Sequence, residues 1–485
     1  MKGNILLLLP IIIPILSGIF IKRIERKNLN KFLASIPIIN LLILIVLFMM
    51  YGQTLDIISL NSLLTIRLSI DEITKFFTLL ATLIWILVSF YSFEYMSHEK
   101  NIETFYKYLS ISYGLILALG FAGNMFTYYL FYEFMTLMTF PLVIHSKTRE
   151  SMGAGIKYLV YSFAGAAFVL IAIIYTYYYG IDTNFTPGGI LDPSSINGTT
   201  LAVFLMAFIG FGSKAGMYPL HAWLPSAHPV APAPASGILS GIVTKAGVLG
   251  IIRLTFYVYG ADVIRGTWVQ TTILILSIFT IFMGSMLAFG TKHLKERLAY
   301  SSVSQVSYIL FGIALLNTDG LIGGLSHMTF HAIIKNVLFL GAGAIICQTG
   351  RQYTYELKGV GKEMPITMWT FTLASLALIG IPPLSGFISK WYLGIGGLGF
   401  ENYTLGVIGL VTLIVSALLT GGYLIPIFVD AFFPGQDYEY NKLTNFEPSK
   451  FMTLPLIILT AAGVLLGMFP NFLIDFFRGI AGTII

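Results

Sequence analysis

Residues 213–229 read SKAGMYPLHAWLPSAHP. A lysine, three prolines, two histidines and a tryptophan interrupt a run that is otherwise apolar from about residue 200 to 258. Pro219 cannot donate a backbone hydrogen bond and frees a carbonyl, which hydrocarbon does not satisfy. An ammonium such as Lys214 costs roughly 2.5–3.5 kcal/mol at the centre of a bilayer on insertion scales. A chain that places both in one span needs a polar interior to receive them.

The surrounding composition establishes the bilayer. Of 485 residues, 56% are hydrophobic and 10% are charged, too few charges to cover a water-soluble protein of this size. Apolar runs near ~20 residues, enough to cross ~30 Å of hydrocarbon, recur along the whole chain. The alternating pattern of an outer-membrane barrel is absent. The fold class is therefore an all-α polytopic membrane protein. Fourteen spans are predicted, near 4–21, 32–51, 73–93, 106–122, 124–145, 156–179, 200–225, 231–258, 268–290, 298–317, 321–347, 365–395, 404–432 and 452–477. The first is read as a retained span, because no small-residue cleavage site follows it.

The net charge of +6 sits in the connections rather than in a nucleic-acid-binding patch. Seventeen lysines and arginines fall in alternate connections, from Lys22 and Arg23 through Lys292, Lys295 and Arg297 to Lys442 and Lys450. The opposite set, which includes both termini, holds Lys2, Arg67, Arg265 and Arg478. This bias places both termini on the non-cytoplasmic side. The lone Cys347 excludes a disulfide framework, a cysteine-ligated iron–sulfur cluster and a thiolate zinc site in this chain.

Two sequence pairs suggest an internal repeat. GMYPL at 216–220 and GIPPL at 380–384 both read Gly-x-x-Pro-Leu inside a long span. Lys157 precedes Gly165 as Lys335 precedes Gly343. Spans seven and twelve run in opposite senses, so the repeat is inverted. Such pairs of broken helices mark ion sites near the midplane of many transporters. The expected organisation is 1–104 for peripheral helices one to three, 105–260 and 261–433 for two inverted five-helix repeats, and 434–485 for helix fourteen. The helix breaks fall at Pro219, Pro382 and Pro383.

The titratable residues inside spans are the candidate site. Lysine, unlike arginine, can give up its proton when buried. Glu133 is the expected partner of Lys214, as an ion pair that is either static or made and broken during transport. Lys245 lies mid-span among small residues, where snorkelling is difficult. Lys390 follows the second break, near enough to the interface for snorkelling to remain an alternative. His327, His331 and Lys335 are spaced by four and share one helix face. Histidine passes protons through its two ring nitrogens. His221 and His228 flank Trp223 and are candidates for proton uptake, or else interfacial residues. Lys157 begins a span, where snorkelling is equally open. Arg253 is assigned a structural role. No metal site is expected, since no carboxylate completes a ligand set beside the histidines. No phosphate loop, dinucleotide fingerprint or Ser/His/Asp set appears, so no catalytic redox centre is expected in this chain.

The stretch KAGMYPLHAWLPSAHPVAPAPASGILSGIVTKAGVLGIIR at 214–253 resembles the signature of an antiporter-like subunit family. That family is shared by respiratory complex I, Mrp-type cation/proton antiporters and energy-converting membrane-bound hydrogenases. HLKERLAYSSVSQVSYILFGI at 293–313, HMTFHAIIKNVLFLGAG at 327–343 and IGIPPLSGFISKWY at 379–392 match it in order. The resemblance implies fourteen helices, with the seventh and twelfth broken. It implies that Glu133, Lys214, Lys245 and Lys390 are the ionisable residues of helices five, seven, eight and twelve, with His327, His331 and Lys335 joining the halves. It further implies a proton-translocating subunit of a larger membrane complex in the cytoplasmic membrane. Iron–sulfur clusters or other redox centres would lie in partner subunits, and neighbouring antiporter-like subunits would flank this one. A sodium/proton antiporter subunit without redox chemistry is the alternative.

Overall fold

A computed structural model describes residues 2–50, 52–59, 64–435 and 445–485. Lys442 lies outside them. Helices α1 (Leu9–Phe20), α2 (Arg26–Phe48), α3 (Glu72–Tyr95), α4 (Ile102–Gly120), α5 (Met125–Val143) and α6 (Arg149–Tyr179) come first. Helix α7 is broken into Gly198–Ala215 and Trp223–Val230, and α8 spans Ala233–Tyr259. Then follow α9 (Trp268–Gly290), α10 (Leu294–Ala314) and α11 (Thr318–Thr349). Helix α12 is broken into Pro365–Ile379 and Ser385–Leu398; α13 (Tyr403–Phe432) and α14 (Lys450–Met468) complete fourteen crossings among the described residues. Ten of these are long and apolar enough to span by length and composition alone. The other four are α4, α5, α10 and α12: the first three carry charged and polar side chains along their length, and α12 is divided by its break.

Contacts between connections fix the alternation. On one side, the α2–α3 connection bridges to α4–α5 through Leu68 and Ala122, and α4–α5 bridges to α6–α7 through Asn124 and Asn184. Asn317 Nδ2 then donates to Gly396 O, joining the α10–α11 and α12–α13 ends. On the other side, His293 bridges to Tyr353, Lys295 Nζ donates to Ala231 O, and Ser449 N donates to Glu94 Oε1. Each of these contacts joins two connections of the same parity, as an up-and-down bundle with fourteen crossings requires. The breaks in α7 and α12 lie five crossings apart and so run in opposite senses.

Three sequence expectations change. A small antiparallel sheet, Lys2–Gly3, Thr54–Ser59 and Thr65–Ser69, sits at one end of the otherwise helical bundle. The span expected to reach residue 477 stops at Met468, before Pro470, and a separate helix α15 (Asn471–Ile484) follows. Its apolar face, Ile474, Phe477, Ile480 and Ile484, packs inward at helical spacing. Lys295 and Arg297, counted with the connections, are buried in the first turn of α10, where they donate to Ala231 O and to Tyr423 O. Each guards carbonyls that the packing takes away from water.

The centre is built by α8 and α11. Every residue of α8 is buried, as is α11 from Gly320 to Ile345. The repeat glycines explain the tight packing. A Cβ on Gly165 would lie 2.2 Å from Ser213 Oγ on α7, and one on Gly343 would lie 2.0 Å from Ala233 Cβ on α8. Arg253, near the end of α8, grips both oxygens of Asp71, the residue that caps α3. It also lies over the Tyr257 ring at 4.5 Å. Arg253→Lys keeps the charge and loses the two-armed grip, so it should cost the folded state about 1.5 kcal/mol, read as a lowered unfolding midpoint with assembly retained.

Candidate functional site

Both breaks bring a lysine to the carbonyl end of a half-helix. Backbone dipoles leave partial negative charge there, which favours a cation. Lys214 stands in the last turn of the first half of α7 and is fully buried. Its ammonium donates to Thr136 Oγ1 (2.7 Å), Ser162 Oγ (2.8 Å) and Tyr158 OH (3.1 Å). The Tyr158 ring faces it at 4.4 Å. At this break the Ser213 carbonyl is taken by the Trp223 indole at 2.7 Å. Trp223 is thus a buried plug between two histidines. At the second break Lys390 itself occupies the carbonyl end. Its Nζ donates to Leu378 O and Ile379 O, both at 2.7 Å. Lys390 also borders a cavity of about 630 Å³ lined by Ile379, Gly380 and residues of α13. A positive charge and a helix breaker therefore belong together, because the break exposes the dipole end that holds the charge.

Between the breaks lies a direct contact across the two repeats. Lys245 Nζ on α8 is 2.5 Å from His331 Nδ1 on α11. In such a pair one nitrogen carries the proton and the other offers a lone pair. Lys245 also donates to Ser240 O at 2.5 Å. Ser240 Oγ meets Ser302 Oγ at 2.8 Å, Ser302 donates to Leu298 O at 3.0 Å, and Lys335 Nζ donates to that same carbonyl at 2.9 Å. His327 lies 6.0 Å from His331, ring to ring, and its Nδ1 is 2.9 Å from Ser389 Oγ, next to Lys390. From Lys335 to Lys390 the polar groups are in near-continuous contact.

Other expected residues sit apart. Glu133 makes no ion pair with Lys214 within 4.0 Å among the described residues. It is half-buried, and its Oε1 has no hydrogen-bond partner. Hydroxyls on α5 and α6 take the place expected for its carboxylate. Among the described residues, Lys214 and Lys245 are not joined by hydrogen bonds either. Tyr132 OH and Ser213 Oγ, buried near Lys214, have unused hydrogen-bonding capacity. His228 is buried against the Phe339 ring at 4.5 Å, the ring over which Lys335 lies at 5.8 Å. His221 is half-buried in the α7 break beside Tyr218. Lys157 Nζ donates to Ser226 Oγ at 2.9 Å. Among the described residues no group of three or more metal-ligating side chains converges.

This geometry has counterparts in known proteins. Residues 122–416 match the family described as NADH:quinone oxidoreductase/Mrp antiporter, TM. The chain belongs to that family. Residues 58–106 match the N-terminus of chain 5 of NADH-ubiquinone oxidoreductase (complex I). The antiporter-like chain is 31% identical to hydrogenase-4 component B of Escherichia coli over 84% of its own length, and spans 63% of that longer protein. It is 30% identical to an NADH-quinone oxidoreductase subunit of Desulforudis audaxviator, over 84% of this chain and 83% of the relative. With a Na(+)/H(+) antiporter subunit of Alkalihalophilus pseudofirmus it shares 27% over 96% of this chain and 94% of the relative. Solved structures of the Mrp complex from a Dietzia species and of an archaeal membrane-bound sulfane sulfur reductase share its fold. Their TM-scores are 0.87 and 0.86, at 19% and 22% identity, covering 99% of this chain and 98% and 97% of theirs.

Sequence reasoning about the antiporter-like chain missed the hydroxyl cradle of Lys214, the Ser240–Ser302 bridge, Ser389 and Tyr308. A signal for part of this was present. AYSSVSQVSY at 299–308 crowds polar residues into a span that faces no water. Hydroxyls spaced along a buried helix need partners, and a polar axis supplies them.

Proposed function

We propose that this chain is the proton-translocating subunit of a multi-subunit, redox-driven membrane complex of hydrogenase or quinone-reductase type. The observation that carries this reading is the Lys245–His331 contact, which joins the two inverted repeats through two groups able to exchange a proton. Protons reach the axis from the Lys/Arg-rich side past His221 and His228, with Lys214 loading from the first half-channel. Buried groups with spare capacity, such as Tyr132 OH, Ser213 Oγ and the Gln305 amide, are where water carries the proton between side chains. The proton passes Lys245, His331 and His327, with Lys335 on the side branch, and leaves at Lys390. Glu133, part-exposed on α5, senses a neighbouring antiporter-like subunit and tunes Lys214. Iron–sulfur or other redox centres sit in partner chains and supply the driving force. The complex lies in the cytoplasmic membrane with both termini of this chain on the non-cytoplasmic side, in keeping with the Lys/Arg bias of the connections.

A second reading is supported by the near-complete mutual coverage with the Na(+)/H(+) antiporter relative. In it the same axis exchanges protons for sodium with no redox module. Purifying the complex through a tag on this chain separates the two. The first reading expects co-purifying chains with electron-paramagnetic signals of iron–sulfur centres, and proton uptake into liposomes on adding reductant. A complex without such signals that moves protons on a sodium gradient supports the second. Absence of ion movement under both drives would overturn both.

A further inference from the structure

The passage from the histidine pair to Lys390 runs past one aromatic ring. Tyr308 of α10 is fully buried. Its ring lies nearly parallel to the His327 imidazole, with centroids 5.2 Å apart and planes 16° apart. The Lys390 ammonium is 5.4 Å from the same centroid. The phenol oxygen donates to Leu413 O on α13 at 3.0 Å, which fixes the ring. A phenol face carries negative quadrupole and attracts a cation, the more so where water is excluded. Both groups that exchange the last proton therefore meet the same ring.

We propose that Tyr308 is the positioning residue for the exit step: its ring holds whichever of His327 and Lys390 is cationic, while repulsion between the two neighbouring cations disfavours charging both at once. The proton then advances one at a time. Ser389 completes the device. Its hydroxyl donates to Gly386 O at 3.1 Å and stands 2.9 Å from His327 Nδ1, so it fixes the imidazole over the ring. The phenol is not a carrier, because its hydrogen is committed to Leu413 O. This inference rests on the proposed route through Lys390.

The test is a ring-fluorination series at position 308 in the whole complex, reconstituted in liposomes. Phenylalanine and its mono-, di- and trifluoro forms keep size and burial while draining the ring face. Tyr308→Phe should retain transport within about twofold. Each added fluorine should lower it further, with about a tenfold loss at trifluorophenylalanine, equal to ~1.4 kcal/mol, within the range of a desolvated cation–π contact. Tyr308→Leu should lose at least as much. A flat series, or a Tyr308→Phe loss as large as that of Tyr308→Leu, would overturn the inference. Should Tyr308→Leu not assemble, the fluorinated series alone decides. Lys390→Ala and His327→Ala controls keep the two ideas apart. Undiminished transport in both removes the route itself, whereas loss in both with a flat series removes only the role of Tyr308.

Discussion

Lys245→Ala should leave an assembled complex that moves protons at least about 100-fold more slowly, the scale of losing a proton-transfer group from the reacting path. The reason lies in what else touches its partner. His331 Nδ1 has Lys245 as its close polar neighbour, and His331 Nε2 has no protein partner. Removing the lysine cuts the hydrogen bond from α8 to His331 on α11. The buried hydroxyl bridge through Ser240 and Ser302 cannot replace it, because it ends at Lys335 and not at the histidines. Lys245→Arg makes the sharper comparison. Arginine preserves a buried positive charge and can donate to Ser240 O, yet it does not deprotonate. If the site needs only charge, Lys245→Arg will transport. If it needs a group that gives up its proton, Lys245→Arg will assemble and fail like Lys245→Ala. Proton uptake measured with a pH-sensitive dye in liposomes decides. Transport by Lys245→Arg at native rate would remove Lys245 from the carriers and leave it an electrostatic prop.

The bundle was legible in the sequence because the bilayer leaves few choices. A span must be a helix of sufficient length, and each crossing reverses direction. The two Gly-x-x-Pro-Leu motifs therefore located both breaks, and the spacing of His327, His331 and Lys335 located the buried face of α11. What failed to show was held by contacts distant in sequence. Lys214 finds Thr136 and Ser162 across 78 and 52 residues, and periodicity reports only on neighbours along one helix. Glu133 was the natural guess because a buried ammonium calls for a counter-charge. Three oriented hydroxyls stand closer to the ammonium than that carboxylate, and an aromatic face and a helix dipole share the task. The terminal helix α15 was folded into the last span because its apolar face continues the run beyond Pro470. The sheet was missed because its strands are short and lie outside the spans, one before α1 and two between α2 and α3.

The two breaks share a motif and use it differently, and Gly380 is where the difference is made. Gly380 has φ of +94°, a left-handed conformation that L side chains rarely adopt. A Cβ there would lie 2.9 Å from Lys390 Cδ and 3.3 Å from Lys390 Nζ. At the equivalent Gly216 a Cβ would instead meet the Leu224 side chain, 2.4 Å away, well clear of Lys214. The α7 break is thus closed by apolar packing and an indole, while the α12 break is kept open for an ammonium. Gly380→Ala should push the lysine stem off Leu378 O and Ile379 O and cost about 1–2 kcal/mol in backbone strain besides. Proton movement should fall at least about tenfold, the loss of roughly one charge-assisted hydrogen bond. Gly216→Ala carries a comparable backbone cost and displaces a leucine rather than the carrier, so its loss of transport should follow its loss of stability. Measuring unfolding midpoint and proton uptake for both variants makes the contrast. A transport loss in Gly380→Ala no greater than in Gly216→Ala at equal destabilisation would mean that the carbonyl seat of Lys390 has no part in moving protons.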